Sequence, residues 1–134
     1  MELVKMVLRF NDGRLIKGYS QDFFPNKPSF HLYPVQPEAS KEATEISVKD
    51  LKGVFFVRDF EGDRDYQEQK GFSTDPKIVG RKVEVAFKDG EVMIGTTLGY
   101  DAQRPGFFFF PCDQNSNNLR IFVVSQAVKK VRYI

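Results

Sequence analysis

The sequence is poor in the residues that build reactive or metal-binding sites. Its 134 residues include one cysteine, Cys112, one histidine, His31, and no tryptophan. A single cysteine excludes an internal disulfide, and two Cys/His side chains are too few for a structural zinc site, which needs about four ligands. The sequence also lacks a GxGxxG motif and a phosphate-binding loop. We therefore expect a protein without enzymatic activity, without a metal and without a cofactor.

Long apolar runs and a strong excess of one charge are missing as well. Twenty Lys and Arg residues nearly balance eighteen Asp and Glu residues, which leaves a net charge of +2. No apolar run approaches the length of a membrane span, and charged residues interrupt the apolar N-terminus, so it has no signal-peptide layout. We expect a cytoplasmic protein without a membrane partner. Its mixed charges are typical of a solvated surface rather than of a dedicated nucleic-acid binder.

The sequence is rich in phenylalanine, with 14 residues, and it contains one nine-residue motif in two similar copies. FNDGRLIKG begins at Phe10 and FKDGEVMIG begins at Phe87, an offset of 77 residues (87 − 10). At this offset residues 4–57 align with residues 81–134 without a gap, and prolines and glycines fall at matching positions. A fixed register over that length predicts the duplication of one folded unit.

Each copy has the sequence pattern of short antiparallel strands. Met6, Leu8 and Phe10 occupy every second position, which is the period of a half-buried strand. The Asn-Asp-Gly sequence that follows predicts a tight hairpin turn. Gly18, inside the second strand, predicts a bulge or a sharp bend where a small barrel curls. Three more short strands complete the copy, and neither copy contains a long amphipathic helix.

The domain organisation follows from this repeat. We predict an all-β protein of two tandem, five-stranded SH3/Sm-like barrels packed together. The first barrel takes residues 1–58 and the second residues 81–134. Between them, residues 59–80 are rich in charge and poor in apolar positions, and we interpret them as an ordered strap.

Two resemblances accompany the pattern. The spacing apolar-x-apolar-x-Phe-x-Asp-Gly-x-apolar-x-x-Gly, within Val4 to Gly18 and Val83 to Gly95, resembles the first motif of Sm-like barrels, which implies a small barrel fold. The second Sm motif, with its Arg-Gly, is absent, so no RNA-binding residue is carried over. Longer phrases such as GYSQDFFPNKPSFHLYP and RPGFFFFPCDQNSNNLRIFVV resemble a group of uncharacterised bacterial proteins, which implies no known activity.

The two copies differ most in their third strand. In the first copy it reads FHLY, with His31 and Tyr33 on the more polar face. In the second copy it reads FFFF, and Phe108 and Phe110 occupy those places. Four consecutive phenylalanines predict a strand that is buried on both faces. We expect the other barrel, the strap or a second chain to cover it, and an aromatic ligand groove is the alternative.

Two functions fit these patterns. The first is a non-catalytic binding or regulatory module for protein–protein interaction, through self-association or a partner that docks on barrel edges and the Phe-rich strand. The alternative is weak binding of single-stranded RNA or DNA, because small barrels stack bases on aromatic rings beside basic side chains. The candidate binding residues are Lys27, His31, Tyr33, Arg104, Phe108, Phe110, Asn117, Asn118 and Arg120.

Overall fold

The computed structural model describes residues 4–35, 43–58, 60, 80–101, 103–112 and 117–134. The first half of the chain forms β1 Val4–Phe10, β2 Leu15–Ser20, β3 Ser29–Pro34, β4 Thr44–Ser47 and β5 Leu51–Val57. The second half forms β6 Arg81–Phe87, β7 Val92–Thr97, β8 Gly106–Pro111, β9 Asn118–Val124 and β10 Val128–Tyr133. A single turn of 3-10 helix precedes the last strand of each half, at Val48–Asp50 and Ser125–Ala127.

All ten strands pair in one open antiparallel sheet, so the predicted all-β class is confirmed. The strand order is β10-β6-β7-β8-β9-β5-β1-β2-β3-β4. The described residues do not show two closed barrels that pack against each other. Instead, β5 pairs edge to edge with β9, from Gly53 opposite Val123 to Val57 opposite Asn118. The two halves therefore continue into each other through main-chain hydrogen bonds.

Strand register is the same in both halves when 77 is added to the residue number. Met6 lies opposite Gly18 in the β1–β2 pair, and Val83 lies opposite Gly95 in the β6–β7 pair. The pairs β2–β3, β3–β4 and β1–β5 recur in the same way as β7–β8, β8–β9 and β6–β10. The gapless alignment of the sequence thus corresponds to matching hydrogen-bond ladders.

The hairpin turns predicted from the repeated phrase are present in both halves. Gly13 has a φ of 93° and Gly90 a φ of 98°, in the left-handed region that favours glycine. In each turn the phenylalanine that ends the strand donates its N–H across the hairpin: Phe10 to the carbonyl of Arg14 at 2.9 Å and Phe87 to the carbonyl of Glu91 at 2.8 Å.

Gly18 does not form the predicted bulge in the β1–β2 pair, because that pair keeps its register through this residue. A Cβ atom at Gly18 would lie 2.6 Å from the carbonyl oxygen of Tyr33 and 2.8 Å from Cγ of Leu32. The glycine is therefore needed because β3 approaches the backbone of β2 closely. The register shift of this half lies elsewhere, between Arg9 and Phe10 in the β1–β5 pair.

Buried side chains form two cores on opposite faces of the central β5–β9 pair. Successive residues of a strand point to opposite faces, and from Val54 to Val57 the residues of β5 contribute alternately to the two cores. The first core contains Met6, Leu8, Phe10, Phe30, Leu32, Ile46, Val48, Leu51, Val54, Phe56, Phe122 and Val124. The second core contains Phe55, Val57, Val83, Val85, Phe87, Phe107, Phe109, Ile121, Val123 and Ala127. Every residue of β5 is therefore buried.

Of the predicted strap, residues 59–80, only Phe60 and Gly80 fall within the described residues. The ring of Phe60 packs edge-on against Tyr19 with a centroid distance of 5.2 Å, and its carbonyl oxygen accepts a hydrogen bond from Lys17 Nζ at 2.7 Å. Phe60 thus lies against β2 and packs against the second core. Residues 59 and 61–79 of the predicted strap lie outside the described residues.

A candidate binding groove at the junction of the two halves

The β8 strand carries aromatic residues on both faces, but only one face is fully buried: Phe108 and Phe110, on the other, are half-buried, so the predicted burial of both faces is only partly confirmed. Phe107 and Phe109 are buried in the second core. Phe108 points the other way and packs against the first core, with its ring centroid 5.3 Å from that of Phe122 and 6.2 Å from that of Phe56. For Phe108, the cover that the sequence predicted is therefore the first half of the same chain.

The matching strand of the first half, β3, lies next to the edge strand β4 and has one exposed face. His31 and Tyr33 are exposed there. His31 Nδ1 lies 2.7 Å from Asp22 Oδ2, and the backbone N–H of His31 donates to Asp22 Oδ1 at 2.9 Å. The polar FHLY and apolar FFFF versions of this strand thus correspond to different positions in the sheet.

Hydrogen bonds set the charge state of Asp22. Burial raises the pKa of its carboxyl, but bonds from the His31 N–H, the His31 ring and the Ser20 hydroxyl outweigh that effect, so the pKa lies below its ordinary value. Because Ser20 donates to Asp22 rather than to His31, these three side chains do not form the relay of a catalytic triad. In the described part of the chain, no group of three or more His, Cys, Asp or Glu residues could hold a metal ion.

An open groove of about 760 Å³ lies along the outer face of β8 and β9. Phe108, Phe110 and Phe122 line its floor, and the β7–β8 loop forms one wall with Leu98, which is 72% exposed. Pro25, from the β2–β3 loop of the first half, lines the groove as well. The groove therefore combines surface from both halves and is largely aromatic.

Arg120 lies against two of the rings that line or border this groove. Its guanidinium carbon lies 4.5 Å from the ring centroid of Phe56 and 4.6 Å from that of Phe108. Strand register explains the position, because Arg120 lies opposite Phe56 in the β5–β9 pair. Among the described residues, no carboxylate forms an ion pair with Arg120. The groove thus contains a stacked, exposed guanidinium.

The structure brings some of the candidate binding residues together and leaves others apart. Arg104 lines the same groove as Phe108, Phe110 and Arg120, and its Nε lies 3.8 Å from Asp101 Oδ2. The candidates that do not line the groove are Lys27, His31, Tyr33, Asn117 and Asn118.

Three of these outlying candidates occupy well-defined positions. Lys27 belongs to the loop that matches the Arg104 loop, and its Nζ lies 4.7 Å from the ring centroid of Phe24. The carbonyl of Asn117 accepts a hydrogen bond from the backbone N–H of Arg58 at 2.9 Å, where the β5–β9 pair ends. Asn118, which begins β9, lines a second cavity of about 480 Å³.

Sequence reasoning missed the role of Lys52, a buried charged residue. The Lys52 side chain is 9% exposed; its Nζ donates to Asp89 Oδ2 at 2.7 Å and also pairs with Glu91 Oε1. The same ammonium lies 4.6 Å from the ring centroid of Phe87. A signal was present in the sequence, because Glu91 occupies the position that matches Arg14 in the other copy.

This fold defines an all-β protein built on one ten-stranded sheet, with an aromatic groove where its halves meet. A family model matches residues 2–134, and the chain belongs to that family, whose description is Family of unknown function (DUF6982). No curated protein and no solved structure matches the chain. The family match is consistent with the resemblance to an uncharacterised group and lends no support to Sm-like or SH3-like kinship.

The described residues contain no helix with the length and apolar character needed to cross a membrane.

Proposed function

We propose that this protein is a non-catalytic binding module that holds a protein partner in the groove at the junction of its halves. The observation that carries the proposal is the exposure of Leu98 beside the aromatic floor formed by Phe108 and Phe110. Exposed apolar surface with aromatic residues and arginine is the composition that distinguishes protein interfaces from other surface.

A foreign partner is favoured over self-association through the sheet edges. The two edge strands of the sheet are β4 and β10. The β10 edge carries Lys129, Lys130 and Arg132, all exposed. Charged side chains on an edge strand oppose the addition of another strand. The groove is lined by no residue of either edge strand, so docking there does not require strand addition.

Weak binding of single-stranded RNA or DNA is the second candidate. Two arginines, Arg104 and Arg120, line the groove beside aromatic rings, as such binding requires. Base stacking also needs an accessible ring face, and Arg120 already lies over the ring of Phe108. Phe122, which lines the groove too, is almost fully buried and offers no free ring face. These features favour a protein partner over a nucleic acid.

We also propose that each half is a copy of one small SH3/Sm-like unit, duplicated in tandem. The gapless alignment at an offset of 77 residues (87 − 10) supports this proposal. So do the recurrence of strand register and the presence of one core per half. In this interpretation the β5–β9 pair joins two curled units that are not closed separately.

The binding proposal can be tested by selecting a displayed library of random twelve-residue peptides on the immobilised protein. We expect selected peptides to shift backbone amide signals of residues that line the groove. Leu98→Ser should weaken their binding by about tenfold or more, because it removes apolar contact area at the groove wall.

The matched control is Leu15→Ser, which removes a 49% exposed leucine from β2, outside the groove. This variant should bind the selected peptides as the unchanged protein does. A library that yields no specific peptide, or peptides that bind Leu98→Ser with full affinity, would contradict the proposal. A labelled single-stranded oligonucleotide at low salt tests the second candidate, since phosphate contacts weaken steeply as salt rises.

A further inference from the structure

We infer that the segment bound in the groove is acidic as well as apolar, with an Asp or Glu carboxylate against Arg120 and an apolar side chain beside Leu98. This inference rests on the proposed function, because it specifies the partner of the same groove. Its chemical basis is the position and the unbalanced charge of the Arg120 guanidinium.

Contact with two aromatic rings restricts the Arg120 side chain before an anion binds. With its carbon 4.5 Å from one ring centroid and 4.6 Å from the other, the guanidinium contacts both Phe56 and Phe108, whose centroids are 6.2 Å apart. Part of the side-chain entropy that binding would otherwise remove is already lost in the unbound protein. Arg120 is also exposed, so the guanidinium N–H donors that point away from the rings can form a bidentate bond with a carboxylate.

Other stacked arginines of this protein show what is missing at Arg120. Arg14 lies 4.6 Å from the ring centroid of Phe10, and its Nε also bonds Asp12 Oδ2 at 2.7 Å. Arg9 lies 4.8 Å from the ring centroid of Phe55, and its Nη1 lies 3.3 Å from Glu91 Oε1.

Arg120 makes the same kind of contact with aromatic rings as Arg14 and Arg9 do. Within the described residues, however, it forms no ion pair with a carboxylate. A bound carboxylate would provide this ion pair.

The net charge of the groove also favours an acidic ligand. Its charged lining residues are Asp101, Arg104 and Arg120, which give a balance of two positive charges against one negative. Asp101 is already engaged, since its Oδ1 accepts the backbone N–H of Gln103 at 2.9 Å and its Oδ2 lies 3.8 Å from Arg104 Nε. The uncompensated charge therefore lies at Arg120, and an acidic ligand group balances it.

The apolar requirement comes from the surface around Arg120. Leu98, Phe110 and Pro25 line the same groove and present hydrocarbon rather than hydrogen-bonding groups. A free inorganic anion would leave this surface in water, whereas a peptide with a bulky apolar residue near its carboxylate would cover it. We therefore assign the site to a peptide segment of a protein partner.

The test compares peptide selections on three proteins: the unchanged chain, Arg120→Met and Arg14→Met. Methionine keeps an unbranched apolar stem over the rings and removes the charge. The unchanged chain and Arg14→Met, the matched control for losing a stacked arginine outside the groove, should both enrich peptides with Asp or Glu close to Leu, Ile or Phe. Arg120→Met should enrich peptides without a preference for acidic residues.

A double-mutant cycle then isolates the contact. A synthetic peptide with the selected consensus should bind Arg120→Met at least about tenfold more weakly than it binds the unchanged protein. Changing its acidic residue to the amide, Glu to Gln or Asp to Asn, should weaken binding to the unchanged protein by a similar factor. The same change should have little effect on Arg120→Met. Thermal unfolding of both variants checks that they are folded.

The outcomes separate this inference from the function on which it rests. Selected peptides without acidic residues, or an amide peptide that loses equal affinity for both proteins, would overturn the acidic partner and leave the groove as a protein-binding site. A library without specific binders would remove the proposed function and this inference together. If Arg120→Met does not fold, the carboxylate and amide peptides are compared on the unchanged protein, and equal affinities overturn the inference.

Discussion

At the scale of single residues, Lys52 joins the two halves through polar contacts. It belongs to β5 of the first half, and its partners Asp89 and Glu91 belong to the β6–β7 turn of the second half. Burial is uneven in this cluster: the Lys52 side chain is 9% exposed, whereas those of Asp89 and Glu91 are 52% and 38% exposed. The consequence of losing a partner therefore depends on which side is removed.

Removing the carboxylates should destabilise the protein more than removing the ammonium. Asp89→Ala with Glu91→Ala leaves a buried charge without its partners, for which we expect a loss of roughly 3–5 kcal/mol in the free energy of unfolding. Lys52→Met leaves two carboxylates that water can reach, and we expect a loss of about 1–2 kcal/mol. Urea unfolding of both variants measures the difference. Equal losses, or the reverse order, would show that Lys52 is not held as a buried ion.

The pKa of Asp89 gives an independent measurement of the same contact. The hydrogen bond from Lys52 and one from the backbone N–H of Glu91 hold this pKa below the ordinary value of 3.8. Since the folded pKa is lower than the unfolded one, the contribution of Asp89 to stability is present above pH 3.8 and is lost as pH falls through the folded pKa.

We expect Lys52→Met to raise the pKa of Asp89 toward its ordinary value, which a titration of the Asp89 carboxyl carbon signal by NMR would detect. Asp12, at the matching turn, is the internal control, because its pKa is lowered by bonds from Arg14 and not by Lys52. Its titration should be the same in both proteins. A pKa of Asp89 that does not change would mean that Lys52 does not bond it in solution.

At the scale of elements, β7 depends on a glycine where β8 crosses close to it. A Cβ atom at Gly95 would meet the carbonyl oxygen of Phe110 and would lie 2.5 Å from Cζ of Phe109. Phe110 is paired to Thr96 in the β7–β8 ladder, so its carbonyl has little freedom to move. The same close approach at Gly18 in the first half indicates that each second strand needs a glycine for packing.

Gly95→Ala should therefore destabilise the protein by about 1–3 kcal/mol, the usual range for overpacking. Gly99→Ala is the matched control, because no heavy atom lies within 4 Å of a Cβ at that position. We expect the control to change the free energy of unfolding by less than about 0.5 kcal/mol. Denaturant unfolding of both variants distinguishes the two cases. A Gly95→Ala protein as stable as the control would be inconsistent with the close approach of the strands.

At the scale of the whole molecule, the two cores depend on shared strands. Phe55 belongs to the first half but is buried in the second core, and Phe122 belongs to the second half but is buried in the first. Because β5 and β9 each contribute to both cores, neither half completes its core alone. We therefore expect the two halves to unfold together.

Hydrogen exchange measures this coupling. The slowest backbone amides of β1 and β6 should report the same free energy of opening in the unchanged protein. Phe55→Ala should lower both values together, by roughly 3–5 kcal/mol, since it removes a buried ring. A loss confined to β6 and its neighbours, with β1 unaffected, would show that the halves unfold independently.

Local features of the sequence predicted much of this structure. The alternation of Met6, Leu8 and Phe10 identifies a strand with one buried face, and the Asp-Gly pairs identify turns that need a positive φ. Both signals depend on residues close together in the chain. The repeat offset predicted that the strands and turns of the first half recur in the second half at the same spacing and in the same register.

Contacts between distant segments were not predictable in this way. The guanidinium site combines Phe56, Phe108 and Arg120 from three different strands, and the sequence contains no spacing rule that links them. The four-phenylalanine strand indicated burial on both faces, yet it did not indicate which part of the protein covers Phe108. That cover depends on the pairing of β5 with β9.

The sequence by itself determined the strands, the tight turns and the equivalence of the two halves, because side-chain alternation and backbone preferences act over a few residues. Only the tertiary structure decided that the halves share one open sheet, that two cores lie on either side of it and that a groove forms at their junction. The physical reason is that each strand edge offers similar hydrogen bonds to several partners. Which edges pair is settled by the burial of side chains such as Phe55 and Phe122, far apart in the chain.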